Sequence, residues 1–428
     1  MKKFYVHTTG CKANQWDSYV VSHDLKQAGL TNGSLKEADI VVINACTLTG
    51  GAERDIRRFI NVCRRENEKA KIILTGCHGQ VYPERAFGAD LVLGQGEKFR
   101  IVEFLDRRGS FISERETFAL ERVDADSLPA GKTRFFLKIQ DGCDNFCSYC
   151  IVPYARGNPK SRPAGEILKI MKTLKERDIK EVVLTGIEIS AYRDPVTDMD
   201  LKILLKTFAG SETPPRIRMS SVDPLFVDDE FIEIMAGSEK IMKSLHIPMQ
   251  SASDEILQAM GRRYMSEYMK NLIEKLQRKI PHIGIGLDVM AGFPGEDEGR
   301  FMETATFLER APIYYLHVFP FSARSGTKAA EMTGSVSEKE KKERVRLLRE
   351  IDRKKRETFY NRFIGEEMRI VPEGKIYKGK YMRGYTDNYL PLYLPYEKKL
   401  ENCLLKVKIE GAEDGLLRGK NIADEMNG

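Results

Sequence analysis

Cys143, Cys147 and Cys150 fall in the stretch DGCDNFCSYC, a three-then-two spacing with an aromatic residue, Tyr149, before the last cysteine. A four-iron cluster has four corners, so three thiolates leave one iron open to chelate and reduce a second molecule. Zinc usually takes two spaced ligand pairs and four closed positions, and no second pair or histidine lies nearby. A zinc site or three buried cysteines is the competing reading. Three more cysteines, Cys11, Cys46 and Cys77, each end an apolar run: TTGC, INAC and LTGC. The ends of neighbouring parallel strands line one sheet edge, so these thiols can converge although distant in sequence. Glycine beside Cys11 and Cys77 lets backbone approach an inorganic cluster closely. Strand-end cysteines are also common as inert core residues. Cys63, in an amphipathic helix, and Cys403, in a short strand, fit no such pattern and read as small buried hydrophobes.

The elements that must position these thiols are legible as runs. FYVHTTG, DIVVINAC, KIILTGC and ADLVLG read as buried strands separated by helices such as ERDIRRFINVCRREN. That alternation predicts a parallel-sheet α/β domain over residues 1–117. A linker spans 118–133. A second series, FFLKIQDGC, EVVLTGIEI, RIRMSSVD, SLHIPMQS, IGLDVMAGFPG and YYLHVFPFS, alternates with helices over 134–364. Six strand–helix units predict a partial (β/α)6 barrel with functional residues at the strand C-termini. Residues 365–428 carry short β-rich runs broken by Gly, Pro and Asn, as in a small antiparallel β-barrel.

Composition fits a cytoplasmic enzyme. The chain of 428 residues has room for two or three cores. MKKFYVHTTG lacks the apolar core of a signal peptide, and no long uncharged apolar run predicts a membrane span. Eight cysteines are too few for a disulfide scaffold and suit metal ligation. The net charge of +6 permits a nucleic-acid partner without demanding one. Residues 338–362 hold eleven Lys/Arg against six Asp/Glu on an amphipathic helix, equally consistent with a solvated face and an RNA contact.

Taken together, TTGCKANQWDS, NACTLTGGAE, LTGCHGQ, LKIQDGCDNFCSYCIVPYARG, LTGIEI, RMSSVDP, HIPMQSASDEILQAMGRRY, GLDVMAGFPGE, HVFPFSARSGT and GYTDNY resemble the methylthiotransferases of the radical S-adenosylmethionine (SAM) superfamily over nearly the whole chain. The resemblance implies an auxiliary 4Fe–4S cluster on Cys11, Cys46 and Cys77, a SAM-binding 4Fe–4S cluster on Cys143, Cys147 and Cys150, and a C-terminal RNA-binding TRAM domain. It implies that one SAM methylates cluster-borne sulfur while another yields a 5′-deoxyadenosyl radical that abstracts hydrogen from the substrate carbon. Tyr149, Thr185, Gly186, Glu188, Ser220, Ser221, Gln250, Ser251 and Gly292 are the expected SAM-side residues. Each could instead cap a loop, because strand ends need hydrogen-bond partners anyway. Departures are small: QSAS replaces the commoner QSGS, and Asn158-Pro159 stands where a charged pair is frequent.

The resemblance further implies a tRNA anticodon stem-loop as substrate, a flavodoxin or ferredoxin as electron donor, and a monomer. CKANQ, NACTLT and GYTDNY are most similar to the threonylcarbamoyladenosine-specific, MtaB-like branch; the isopentenyladenosine-specific branch is the alternative. An RNA-binding iron–sulfur protein without catalysis is the reading from another class, and the strand-end series TGIE, SSVD, MQS and GFPG weighs against it. Lys375, Lys378, Lys380 and Arg383 beside Tyr385 and Tyr389, with Asn388 between, suit phosphate contact and base stacking. Arg156 reads as a contact to phosphate or to a cluster edge, and Arg324 as a donor near the site mouth.

Overall fold

The computed structural model describes residues 1–115, 118, 120, 121, 123, 128, 133–413 and 415–422, so most of the expected linker at 118–133 lies outside the described residues. The first layer is a six-stranded sheet of β1 (Lys3–Thr8), β2 (Thr31–Asn32), β3 (Ile40–Ala45), β4 (Lys71–Gly76), β5 (Leu91–Leu93) and β6 (Gly109–Phe111), ordered β2-β1-β3-β4-β5-β6. Every pairing is parallel. Side chains alternate across a strand, so Ile40 and Val42 pack under the helix Lys12–Gln27 through Val21 and Leu25. Val41 and Ile43 face the opposite helix, Gly50–Glu66, through Ile56, Ile60 and the buried Cys63. Burial on both faces explains the unbroken apolar runs.

The strand order reverses between β1 and β3, and an open α/β sheet has its crevice at such a switch point. Cys11 follows β1, Cys46 follows β3 and Cys77 follows β4.

The middle of the chain supplies β7 (Arg134–Lys138), a small antiparallel pair β8 (Gln140–Asp141) and β9 (Lys160–Ser161), then β10 (Glu181–Thr185), β11 (Arg216–Met219), β12 (Ser244–Gln250), β13 (Gly284–Ala291) and β14 (Tyr315–Pro320). β7, β10 and β11 pair in parallel, as do β12, β13 and β14. The bridge Ile217–Ile241 and the bond from Val222 N to His246 O (3.0 Å) join the two halves. Six parallel strands thus curve in chain order, with β7 and β14 as free margins among the described residues. The helix Lys12–Gln27 packs beside β7 and the helix Glu338–Asn361 beside β14.

The C-terminal strands β15 (Glu367–Tyr377), β16 (Tyr381–Thr386), β17 (Pro391–Pro395), β18 (Leu405–Glu413) and β19 (Leu416–Asn421) close a barrel in the order β15-β16-β17-β19-β18. The expected all-antiparallel barrel is corrected here: β17 and β19 run parallel, at Leu392–Leu417 and Tyr393–Arg418. An odd number of strands in a ring cannot alternate direction throughout, so at least one pair must be parallel. The core of this barrel extends beyond its own strands. Ile370, Met382, Leu392 and Val407 pack with Tyr314, Phe359, Tyr360 and Phe363, which precede the barrel. No helix among the described residues is long and apolar enough to cross a membrane.

Candidate functional site

The three strand-end cysteines converge as the sheet order demands. Gly10 and Gly76 adopt φ of +96° and +86°. A Cβ on Gly10 would lie 2.5 Å from Cys46 Cβ, and one on Gly76 would lie 2.5 Å from Asn44 Oδ1. Only glycine admits both the left-handed turn and the close approach. Burial pushes the Cys46 thiol up to about 12, with Cys77 and Cys11 adding like charge. Such thiols hold their protons until a metal displaces them.

Arg156 faces this group. It ends the short helix Val152–Arg156 and is 1% exposed. Its Nε donates toward Cys77 Sγ (3.4 Å), its Nη1 to both Asp141 oxygens (3.0 Å each), and its Nη2 to Asp17 Oδ2 (3.0 Å) and to Asn14 Oδ1. Lys98 (2.7 Å) and Lys138 (2.5 Å) complete the shell of Asp17, and Lys138 also reaches Asp141 at 2.9 Å. Burial alone would raise Asp141, but Arg156 and then Lys138 hold it well below the usual carboxylate range. The network ties the first domain to the barrel. Of the two contacts expected of Arg156, it weighs against phosphate of an RNA: every side-chain nitrogen is occupied, away from solvent, beside Cys77 Sγ.

The DGCDNFCSYC loop is fixed by backbone. Gly142 has φ +77°, and a Cβ there would strike Asn158 O at 2.1 Å. Cys143 N donates to Gly157 O (3.0 Å), Ser148 N to Met260 O (2.9 Å) and Cys150 N to Cys147 O (2.9 Å). Arg262 donates to Cys147 Sγ (3.4 Å) and to Pro248 O (3.2 Å). Burial raises Cys143 to about 11 and Cys150 to about 12. Arg262 is not among the residues expected from the motifs, although GRRY follows a helix end directly.

All six cysteines line one cavity of about 980 Å³. Tyr149, Thr185, Gly186, Glu188, Ser220, Ser221 and Gln250 line it too. The loop after β10 is wrapped on Gln140, whose Oε1 accepts from Ile187 N (3.1 Å) and Glu188 N (2.8 Å). Ser220 Oγ and Gln250 Oε1 are buried without a partner among the described residues, as groups awaiting a polar ligand are. Ser251 and Gly292 lie outside the lining. Ser251 Oγ bonds Thr304 Oγ1 (3.0 Å), and Gly292 packs under Lys341 on the helix Glu338–Asn361. Arg324 pairs with Glu53 and is likewise outside.

The half of the cavity away from these strand ends is polar. His246 Nε2 and His317 Nδ1 approach Asp288 Oδ1 at 3.0 and 2.7 Å, and His246 Nδ1 meets the Tyr315 hydroxyl at 2.8 Å. Asp288 and His317 are paired across β13 and β14. Lone polar residues inside the apolar runs SLHIPMQ, GLDVMA and YLHVFP were the overlooked signal. Lys12, Arg134 and Arg218 line the other side. Burial, then the like charges of Arg134 and Arg218, push the Lys12 ammonium's pKa down.

The turn after β16 docks against β11. Arg216 donates to Asp387 Oδ1 (2.7 Å) and Tyr385 O (2.8 Å), and Arg218 to Thr386 O (2.6 Å); both hold Glu181 at 2.8 Å. Asn388 is corrected as an RNA candidate: it is fully buried and donates to His282 O (2.9 Å). Tyr385 and Tyr389 stack at 4.7 Å, and Tyr389 also lines the cavity. Lys375, Lys378 and Lys380 are exposed, while Arg383 is half-buried over the Tyr377 ring (4.8 Å).

Residues 137–308 match the radical SAM superfamily, and residues 3–94 match a family described as uncharacterized protein family UPF0004. The chain is 34% identical to threonylcarbamoyladenosine tRNA methylthiotransferase MtaB of Bacillus subtilis, over 94% of this chain and 92% of that one. It is 36% identical to the protein of that name from Aquifex aeolicus, over 91% and 96%. It is 31% identical to the tRNA-2-methylthio-N(6)-dimethylallyladenosine synthase of Dictyoglomus thermophilum, over 99% of both. Among solved structures, the radical SAM methyltransferase TsrM of Kitasatospora setae shares the fold, with a TM-score of 0.57 at 15% identity over 75% of each chain.

Proposed function

The chain belongs to the MtaB-like radical SAM methylthiotransferases, and from that premise we propose that it adds a methylthio group to carbon 2 of N6-threonylcarbamoyladenosine at position 37 of tRNA. One observation carries the reading: two cysteine triads, from two domains, line one cavity of about 980 Å³. When bound there, two 4Fe–4S clusters and SAM supply a carbon-centred radical and the sulfur to be transferred. Three thiolates per site, with no further cysteine among the lining residues, fit clusters that each keep an open iron.

Cys143, Cys147 and Cys150 hold the SAM-side cluster, and Cys11, Cys46 and Cys77 the auxiliary one. Arg262 and Arg156 donate to one sulfur of each triad and offset negative charge there. Ser220 Oγ and Gln250 Oε1 take the polar groups of SAM as partners, with Thr185, Gly186, Glu188, Ser221 and Tyr149 around them. Ser251 and Gly292 support this wall from behind. The substrate adenine enters between the triads, and the cavity walls exclude water from it.

Domain limits of 1–117, 118–133, 134–364 and 365–428 are part of the reading, with a TRAM fold for the last. Lys375, Lys378, Lys380 and Arg383 grip the anticodon stem-loop phosphates beside Tyr385 and Tyr389. The protein works as a cytoplasmic monomer reduced by a flavodoxin or ferredoxin. Identity of 34% and 36% to relatives named for threonylcarbamoyladenosine, against 31% to one named for dimethylallyladenosine, supports the choice of substrate.

The test is anaerobic incubation of reconstituted protein with SAM, a reductant, sulfide and anticodon stem-loops carrying either modification. Mass analysis of nucleosides should find the methylthio product from the threonylcarbamoyl stem-loop. Product from the isopentenyl stem-loop alone overturns the substrate; neither product, with 5′-deoxyadenosine formed, overturns the transfer.

A further inference from the structure

Three cations, Lys12, Arg134 and Arg218, line one side of the cavity's polar half. Two of them are engaged. Arg134 pairs with Glu373 at 2.5 Å and stacks its guanidinium 4.5 Å from the Tyr385 ring centre. Arg218 donates from Nε to Glu181 (2.8 Å), from Nη1 to Ser244 Oγ (2.9 Å) and Asp387 O (3.1 Å), and from Nη2 to Thr386 O (2.6 Å). Lys12 differs. Among the described residues its ammonium has no carboxylate or hydrogen-bond partner.

The carboxylates nearby cannot serve it. Glu181 is held by Arg216 and Arg218 at 2.8 Å each, and Asp288 by His246 and His317. An ammonium drawn out of bulk water without a counter-ion is costly, and the cost is offset when a ligand brings the opposite charge. Lys12 directly follows Cys11, so this unmatched charge sits between the auxiliary triad and the barrel interior, where a base between the triads would extend its N6 substituent.

We propose that Lys12 binds the carboxylate of the threonylcarbamoyl group and so determines which N6-modified adenosine is accepted; this rests on the function proposed above. The dimethylallyl group is a hydrocarbon and would leave the ammonium unpaired and desolvated. Sites built for a polar partner reject analogues lacking it far more strongly than apolar pockets reject an extra group. The lysine moves no electrons and takes no part in bond making.

The test compares stem-loops carrying threonylcarbamoyladenosine with stem-loops carrying its methyl ester, which keeps the shape and removes the charge. Wild-type kcat/KM should favour the acid by about a hundredfold. Lys12→Met should lower kcat/KM on the acid by a similar factor and leave the ester within about threefold, and Lys12→Arg should restore most of the preference. Iron per chain and SAM cleavage are measured on the same samples, because Cys11 is adjacent. Equal losses on acid and ester, or no loss on the acid, overturn the proposal. So does a wild-type protein indifferent to esterification, an outcome that needs no variant. If wild type modifies neither the acid nor the ester, the proposed function itself fails, and that is seen before any substitution is made.

Discussion

Replacing Arg156 by Met removes a cation from the centre of a buried network while keeping its bulk. The change deletes two bonds to Asp141 and one to Asp17, all at 3.0 Å, together with the bond to Asn14 Oδ1 and the 3.4 Å contact to Cys77 Sγ. Removing one member of a buried ion pair costs about 3–5 kcal/mol. Here Lys138 still reaches both acids and Lys98 still reaches Asp17, so the expected loss is at the low end, about 3 kcal/mol. A second effect follows at the auxiliary triad, where Cys11 loses a positive charge that favours its thiolate and Cys77 Sγ loses its Arg156 donor. Urea denaturation of the apo chain measures the first effect, and iron and sulfide per chain after anaerobic reconstitution measure the second. We expect Arg156→Met to lose about four irons while SAM cleavage survives. Arg156→Lys, which keeps charge but lacks the planar fork, should fall between. An Arg156→Met protein with full iron and stability within about 1 kcal/mol of wild type would refute the reasoning. A variant that lost only tRNA affinity would restore the RNA role that burial denies.

Triple alanine replacement of either Cys11, Cys46 and Cys77 or Cys143, Cys147 and Cys150 should halve an iron content of about eight per chain, whereas Cys63→Ser and Cys403→Ser should not change it; iron analysis decides. Glu181 titrates at about 2: burial alone would raise it, but Arg218 and then Arg216 hold it down. Its stabilisation is therefore complete above an unfolded value of about 4.5 and declines as pH falls toward about 2, by about 3 kcal/mol in all. Apo-chain denaturation at pH 6 and pH 3 should show that decline in wild type and much less in Glu181→Gln; parallel behaviour of the two would remove Glu181 as its cause. Lys375, Lys378 and Lys380 changed together to Gln should weaken tRNA binding and lower the salt slope of log K by about 2–3, leaving SAM cleavage intact; an unchanged slope would move RNA binding elsewhere.

Where the chemistry is local the sequence was a good guide, and where it depends on long-range pairing it was not. Each auxiliary cysteine ends an apolar run, so convergence on one sheet edge followed from strand polarity. Their position at the switch point did not, because nothing local tells β2 to add on the far side of β1. For Arg156 the sequence leaves phosphate and cluster edge as alternatives, since its partners Asp17 and Asp141 lie 139 and 15 residues away in the chain. Asn388 failed for a related reason: a turn rich in Asp, Asn and Tyr resembles a solvent loop until Arg216 and Arg218 are seen to receive it. Ser251 and Gly292 share motifs with cavity residues, but side-chain direction at a strand end changes with each residue. Closure of the last barrel through a parallel pair is a matter of ring parity that no single segment carries.

The seating of the β16–β17 turn on β11 makes the molecule a fixed gauge. Swinging the terminal barrel away would uncover Glu181 and two arginines that are nearly inaccessible now, and it would open a core shared with the helix Glu338–Asn361. The span from the exposed lysines to the six cysteines is thus set by the protein. If those lysines hold the anticodon stem-loop as proposed above, deformation falls to the nucleic acid, whose loop must unstack and extrude its own base to meet a site at constant reach. On that reading, an anticodon loop too stiff to do so would be excluded by its mechanics, whatever its sequence.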